Sequence, residues 1–152
     1  MSERKKALVT GGATGIGRSA VLALAKAGYD IAINYASSAK GAAATAAEAQ
    51  ALGAKTLLLQ CDVSDDSAVR AMMATIDAEF GHLDALINNA GTTATWKVKD
   101  LDSLDMDAWD RTFAVNVRGN FQVTRAAVEL LLQPLCGGQF ALLPLLQLQC
   151  ML

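Results

Sequence analysis

Four apolar runs, at residues 6–10 ("KALVT"), 30–35 ("DIAINY"), 55–63 ("KTLLLQCDV") and 83–91 ("LDALINNAG"), recur along the chain with room for one helix between each pair. Each run is continuous rather than alternating. That is the pattern of strands buried on both faces, as in a parallel sheet covered by helices. The stretches between them read as helices, and each ends at a glycine: "GRSAVLALAKAG" at Gly28, "AKGAAATAAEAQALG" at Gly53 and "SDDSAVRAMMATIDAEFG" at Gly81. Glycine just past a helix allows the left-handed conformation that satisfies terminal carbonyls. In the third helix Val69, Met72, Met73, Ile76 and Phe80 form one apolar face, with the methionines as core filler and Ser64 as the expected N-cap. A longer helical segment, 105–132, follows. Trp109, Phe113, Val117 and Phe121 mark a stripe on it at i, i+4 spacing, while Asn116 and Gly119 interrupt good helix formers and predict a local irregularity. Alternating strands and helices with right-handed crossovers predict an α/β fold, a doubly wound parallel sheet with strand order 3-2-1-4.

The chain's 152 residues suffice for one domain with a real core. A net charge of −2 offers no basic surplus for phosphate counterion release, so nucleic-acid partners are not expected. Cys61, Cys136 and Cys150 show no Cys-x-x-Cys pairing and no metal-ligand spacing, and no signal-peptide segment precedes the first strand. The expectation is a reduced, cytoplasmic protein without a metal.

The first strand runs into "TGGATGIGR", with Gly11, Gly12, Gly15 and Gly17 directly before a helix. Gly11 suits a tight turn, Gly15 lets a pyrophosphate approach the backbone, and Gly17 lets the helix pack close. The helix N-terminus offers free N–H groups and partial positive charge to phosphates. Asp62, in "CDV", ends the third run at a carboxyl edge, where ligands of open α/β sheets bind. Read alone, it serves equally as a helix cap or turn residue. "NNAG", residues 88–91, ends the fourth run beside the switch point between strands one and four.

Thr10-Gly11-x-x-x-Gly15-x-Gly17, Asp62, Asn88-Asn89-Ala90-Gly91 and Asn116 together resemble the short-chain dehydrogenase/reductase family, over roughly residues 5 to 132. The resemblance implies a Rossmann-like fold, of which this chain holds the N-terminal half, and NAD(P)-dependent hydride transfer between the cofactor and a small carbonyl or alcohol. It implies that Gly11, Thr14, Gly15, Ile16 and Gly17 hold the pyrophosphate, that Asp62 and Val63 hold the adenine, and that Asn88, Ala90 and Gly91 line the cofactor's ribose side. It also implies that Asn116 orders a water in the proton relay; the alternative is a polar residue that bends its helix. Homo-oligomers are common in the family, and the 105–132 segment matches a usual interface helix. The end of the second strand reads "INYASSAK", with Tyr35 and Ser37 at the cofactor position, Lys40 nearby and no carboxylate. A carboxylate there binds the ribose 2′-hydroxyl of NAD and repels a 2′-phosphate, so its absence predicts NADP, with NAD as the alternative.

The family's reaction also needs a serine and a Tyr-x-x-x-Lys motif, in which the lysine lowers the tyrosine pKa. Here the two tyrosines, Tyr29 and Tyr35, are followed four residues on by Ile33 and Ala39, no lysine follows Lys99 and no serine follows Ser103. Of the four catalytic positions only Asn116 is matched. All charged residues lie between Glu3 and Glu129, and the uncharged end holds both prolines and two of the three cysteines. Its glutamines and prolines argue against a membrane anchor. Residues 1–132 are therefore read as the cofactor-binding unit of a truncated member, and 133–152 as a tail foreign to the fold. The expected origin of the tail is a shifted reading frame or altered exon. "CGGQFALL" is expected to mimic a glycine turn and short strand, which Pro144 would end. The chain is expected to be inactive alone. The alternatives to an oxidoreductase are a non-catalytic NAD(P)-binding module and an interaction fragment. The 92–105 loop reads either as a substrate-facing segment or as a solvated connection.

Overall fold

The computed structural model describes residues 4–93 and 105–133, and the backbone of 141–143. Strands β1 (Lys5–Val9), β2 (Tyr29–Tyr35), β3 (Thr56–Gln60) and β4 (Ala85–Ile87) alternate with helices α1 (Gly15–Lys26), α2 (Ala39–Ala51) and α3 (Asp66–Phe80). After β4 come α4 (Met106–Phe113), a π-helical turn (Ala114–Gly119) and α5 (Asn120–Leu132), then β5 (Ala141–Leu143). All strand pairs are parallel, in the order β3-β2-β1-β4-β5. The predicted 3-2-1-4 order holds, and β5 extends it by pairing Ala85–Ile87 with Ala141–Leu143. A short strand in the uncharged segment was expected. The remainder of that segment, Pro144 included, and most of the 92–105 loop lie outside the described residues.

The sheet is buried on both faces because its strands are apolar at consecutive positions. Val9, Ile31 and Ile33 point to one side, against Val21 and Ala25 of α1 and Ala46 and Ala49 of α2. Leu8, Ala32 and Leu86 point to the other, against Val69, Met72, Met73, Ile76 and Phe80 of α3 and Val123, Ala127 and Leu130 of α5. Leu8, Ile31, Ile33, Val21, Ile76 and Val123 are completely buried. Each such side chain contributes about 1.5–3 kcal/mol over its exposed state.

Two boundaries differ from the sequence reading. The third and fourth runs are longer than their strands: Cys61 to Val63 and Asn88 to Gly91 leave the ladder and form loops at the carboxyl edge. Asp65, not Ser64, caps α3, its Oδ1 accepting from the N–H groups of Ser67 at 2.9 Å and Ala68 at 3.1 Å. Ser64 instead turns back to Asp62. The expected irregularity at Asn116 and Gly119 is the π-helical turn between α4 and α5. It brings Gly119 against Val63, where a Cβ would stand 2.7 Å from Val63 Cγ2.

Candidate functional site

The carboxyl edge of β1, β2, β3 and β4 opens into a cleft of about 440 Å³. Gly11, Thr14, Ile16, Tyr35, Ser37, Asp62, Val63, Ala90 and Gly91 line it. These expected site residues, drawn from four separate loops, meet in one place. Gly15 and Gly17 open α1 beside it, Asn116 bonds to Thr92, which lines it, and Asn88 bonds to Thr124 of α5.

The glycine loop has its form for two reasons. Gly11 has φ +64°, and an added Cβ would lie 2.9 Å from the Ala90 Cα. At Gly17 an added Cβ would lie 2.1 Å from the Gly11 carbonyl oxygen, so α1 approaches the loop as closely as backbone allows. Polar side chains then fasten the loop. Thr10, fully buried, accepts from the N–H groups of Asn89 and Ala90, each at 3.0 Å. Asn89 Nδ2 donates to the carbonyls of Thr10 and Gly11, each at 3.1 Å. Asn34 Oδ1 accepts from Gly11 N–H at 3.3 Å, and its Nδ2 donates to the carbonyls of Leu59 and Cys61. Thr45 Oγ1 donates to the Ala13 carbonyl at 3.0 Å, and Gln122 Nε2 to the Val63 carbonyl at 3.0 Å.

Two helix N-termini border the cleft, and neither has a side-chain cap. Thr14 before α1 and Ser38 before α2 make no capping bond, and both line the cleft. The N-caps of α3 and α4, Asp65 and Asp105, each accept backbone N–H groups. Uncapped N–H groups facing a cavity suit anions. Two such ends on one cleft could hold a ligand with more than one negative group.

Asp62 stands at the far wall. Its Oδ1 accepts from Ser64 N–H at 3.0 Å and Ser64 Oγ at 2.7 Å, and its Oδ2 accepts from Arg111 Nη2 at 2.7 Å. Burial pushes its pKa upward, but the bonds from Ser64 and Arg111 outweigh that and hold it below the usual carboxylate range. Next to it, burial first and then the charges of Asp62 and Asp65 push the Cys61 thiol up to about 11, so it is an unreactive core group. Asn88 Nδ2 donates to Thr124 Oγ1 at 2.8 Å, which ties the end of β4 to α5. Asn116 accepts from Thr92 N–H and donates to the Thr92 carbonyl, both at 2.8 Å, which pins the loop after β4 to the π-helical turn.

Sequence reasoning missed Asn34, Thr45, Gln122 and Arg111. The first three are buried polar residues inside apolar or alanine-rich stretches, and that mismatch is the signal that could have found them. Arg111 carried no signal, since its partners lie 47 and 49 positions away. No group of three or more His, Cys, Asp or Glu that could hold a metal occurs among the described residues. None of the described helices is long and apolar enough to cross a membrane.

The family model described as short chain dehydrogenase matches residues 5–138. The chain is 38% identical over 138 residues to a 3-oxoacyl-[acyl-carrier-protein] reductase FabG of Staphylococcus aureus, covering 91% of this chain and 55% of that protein. The chain thus spans about half the length of the curated relatives it matches. A putative short-chain dehydrogenase/reductase from Burkholderia xenovorans superposes with a TM-score of 0.83 at 35% identity, over 88% of this chain and 55% of that one. A short chain dehydrogenase from Burkholderia cenocepacia J2315 in complex with NADP superposes with a TM-score of 0.76 at 42% identity, over 84% and 51% of the two chains.

Proposed function

Because this chain belongs to the short chain dehydrogenase family, we propose that it carries the cofactor-binding half of an NADP-dependent oxidoreductase acting on a carbonyl or alcohol. The observation that carries this reading is that two uncapped helix N-termini border one and the same cleft. In this reading Gly11, Thr14, Gly15, Ile16 and Gly17 bind the pyrophosphate at the start of α1. Tyr35 and Ser37, beside the start of α2 with Lys40, bind the adenosine ribose and its 2′-phosphate. The end of β2 carries no carboxylate to repel that phosphate. Asp62 and Val63 take the adenine, and Asn88, Ala90 and Gly91 border the nicotinamide ribose. A bound nicotinamide dinucleotide supplies or accepts the hydride. The chain's own residues bind and orient it, and Asn116 holds the loop at Thr92 in place.

Moving the accompanying proton requires a serine and a Tyr-x-x-x-Lys, which these 152 residues do not contain. This chain alone therefore binds cofactor without turnover, as a non-catalytic module. We place it in the cytoplasm. Titration with NADPH and NADH, read by nicotinamide fluorescence, tests the reading: NADPH binds the tighter. An equal or inverted preference contradicts the NADP assignment.

A second copy of the chain is the proposed partner, on a specific observation. Trp109, Phe113, Val117 and Phe121 are 36%, 48%, 59% and 63% exposed along one face of α4, the π-helical turn and α5. The stripe is symmetric about Val117. An antiparallel pairing there sets Phe113 against Phe121 and brings Trp109 beside Arg125, which pairs with Asp66 and lies over Phe121 within its own chain, so that aromatic surface is buried.

A further inference from the structure

One charged contact in the cleft has no part in the reading above. Among the described residues, Arg111 and Asp62 are the only ion pair whose two members both line the cavity. Arg111 reaches Asp62 from α4. Its Nη2 donates to Asp62 Oδ2 at 2.7 Å and its Nη1 to Ser64 Oγ at 2.7 Å. Ser64 Oγ donates in turn to Asp62 Oδ1 at 2.7 Å, and Ser64 N–H to the same oxygen at 3.0 Å. Asp62, Ser64 and Arg111 thus form a closed ring of hydrogen bonds. An ionised carboxylate has about four acceptor positions, two on each oxygen. The ring fills both on Oδ1 and one on Oδ2, leaving a single acceptor on Oδ2. Guanidinium geometry fixes its direction, because the two donors of the fork are rigidly related.

We propose that Arg111 is a positioning residue for base recognition, fixing the Asp62 carboxylate so that its one remaining acceptor takes the exocyclic amine of adenine. This rests on the cofactor reading, and it extends that reading to how the base is told apart. A carboxylate held in this way accepts and cannot donate. A base with an amine at that position is favoured, and a base with a carbonyl there meets an acceptor with no proton between them.

The test compares NADPH with its hypoxanthine analogue, in which a carbonyl replaces the adenine amine. Dissociation constants are measured by fluorescence for the wild-type chain, R111M and R111K. The wild type is expected to favour NADPH by about tenfold, the worth of one hydrogen bond to a charged acceptor. R111M is expected to reduce that preference to about twofold or less. R111K, which keeps the charge and loses the fork, falls between. The ratio serves as its own control, since a variant that merely loosens the loop loses affinity for both ligands alike. A preference equal to wild type in either variant overturns the role of Arg111 and leaves the cofactor reading standing. A wild type that binds both analogues equally overturns base recognition by Asp62, and the proposal with it. A wild type that binds neither contradicts the cofactor reading itself. In the free chain, the carbon-13 shift of the Asp62 carboxyl should titrate at higher pH in R111M than in wild type, and an unchanged midpoint counts against the proposal.

Discussion

Asn34 joins three backbone groups, one in the glycine loop, one in β3 and one in the loop after β3. Asn34→Ala leaves the Gly11 N–H and the Leu59 and Cys61 carbonyls unmatched in a buried setting, since the side chain is only 1% exposed. A loss of about 3 kcal/mol in urea unfolding is expected, together with weaker NADPH binding. Gly17→Ala drives a Cβ to within 2.1 Å of the Gly11 carbonyl oxygen. It should cost about 2 kcal/mol or more and abolish saturable NADPH binding, as titration would show. Glycines of this kind are legible in a sequence because a strand, a turn and a helix meet there within a few residues. Asn34, Thr45 and Gln122 stand out as polar residues in apolar or alanine-rich stretches, but their partners, carbonyls 25 to 59 positions away, are not legible there. Ser64 and Asp65 show a different limit. Both residue types cap helices, and only the path of the chain decides that Asp65 faces the first turn of α3 while Ser64 faces Asp62. The Asp65 carboxylate is held below its ordinary pKa first by the Ser67 hydroxyl and then by the N–H groups of Ala68 and Ser67. A depressed folded pKa means that its contribution is present above the unfolded value, about 3.9, and is lost as pH falls through the lower folded one. Asp65→Asn keeps an acceptor oxygen and removes the titration. Its melting temperature should fall less than that of wild type between pH 5 and pH 2.5; an equal fall contradicts the assignment.

Among the elements, the 105–132 segment repays the closest look. Its i, i+4 aromatic stripe is legible in the sequence, but spacing alone does not say whether such a stripe faces a core or solvent. Here α5 turns Val123, Ala127 and Leu130 inward, while Trp109 and Phe113 of α4, Val117 of the π-helical turn and Phe121 of α5 face outward. The π-helical turn joins α4 to α5 and sets Asn116 opposite Thr92. Such turns recur at functional sites. Two outward residues, Phe113 and Phe121, carry the expected self-association. The double variant F113E/F121E should keep the wild-type circular-dichroism spectrum, since both side chains are exposed in the single chain. It should also convert a dimer to a monomer in sedimentation equilibrium. Retention of the dimer contradicts the antiparallel pairing about Val117.

At the scale of the whole molecule, topology is the most legible property. Continuous apolar runs separated by glycine-terminated helices admit few arrangements once crossovers are right-handed, and the parallel order β3-β2-β1-β4 follows. The pairing of β5 with β4 covers an edge that would otherwise be open. The cleft follows from the same topology, because loops after parallel strands collect at one edge of the sheet. The chemistry divides along the chain. The residues proposed to hold a dinucleotide run from Gly11 to Gly91, Asn116 is the one matched catalytic position, and no serine with a Tyr-x-x-x-Lys follows within these 152 residues. If a shifted frame accounts for the uncharged segment, one of the two other frames past the Glu129 codon encodes those residues; neither doing so contradicts that origin. Binding of NADP without turnover by this chain is directly measurable. The purified 152-residue chain is titrated with NADPH while carbonyl reduction is followed by loss of absorbance. Saturable binding without turnover is the predicted result, and absence of saturable binding, or measurable turnover, contradicts it.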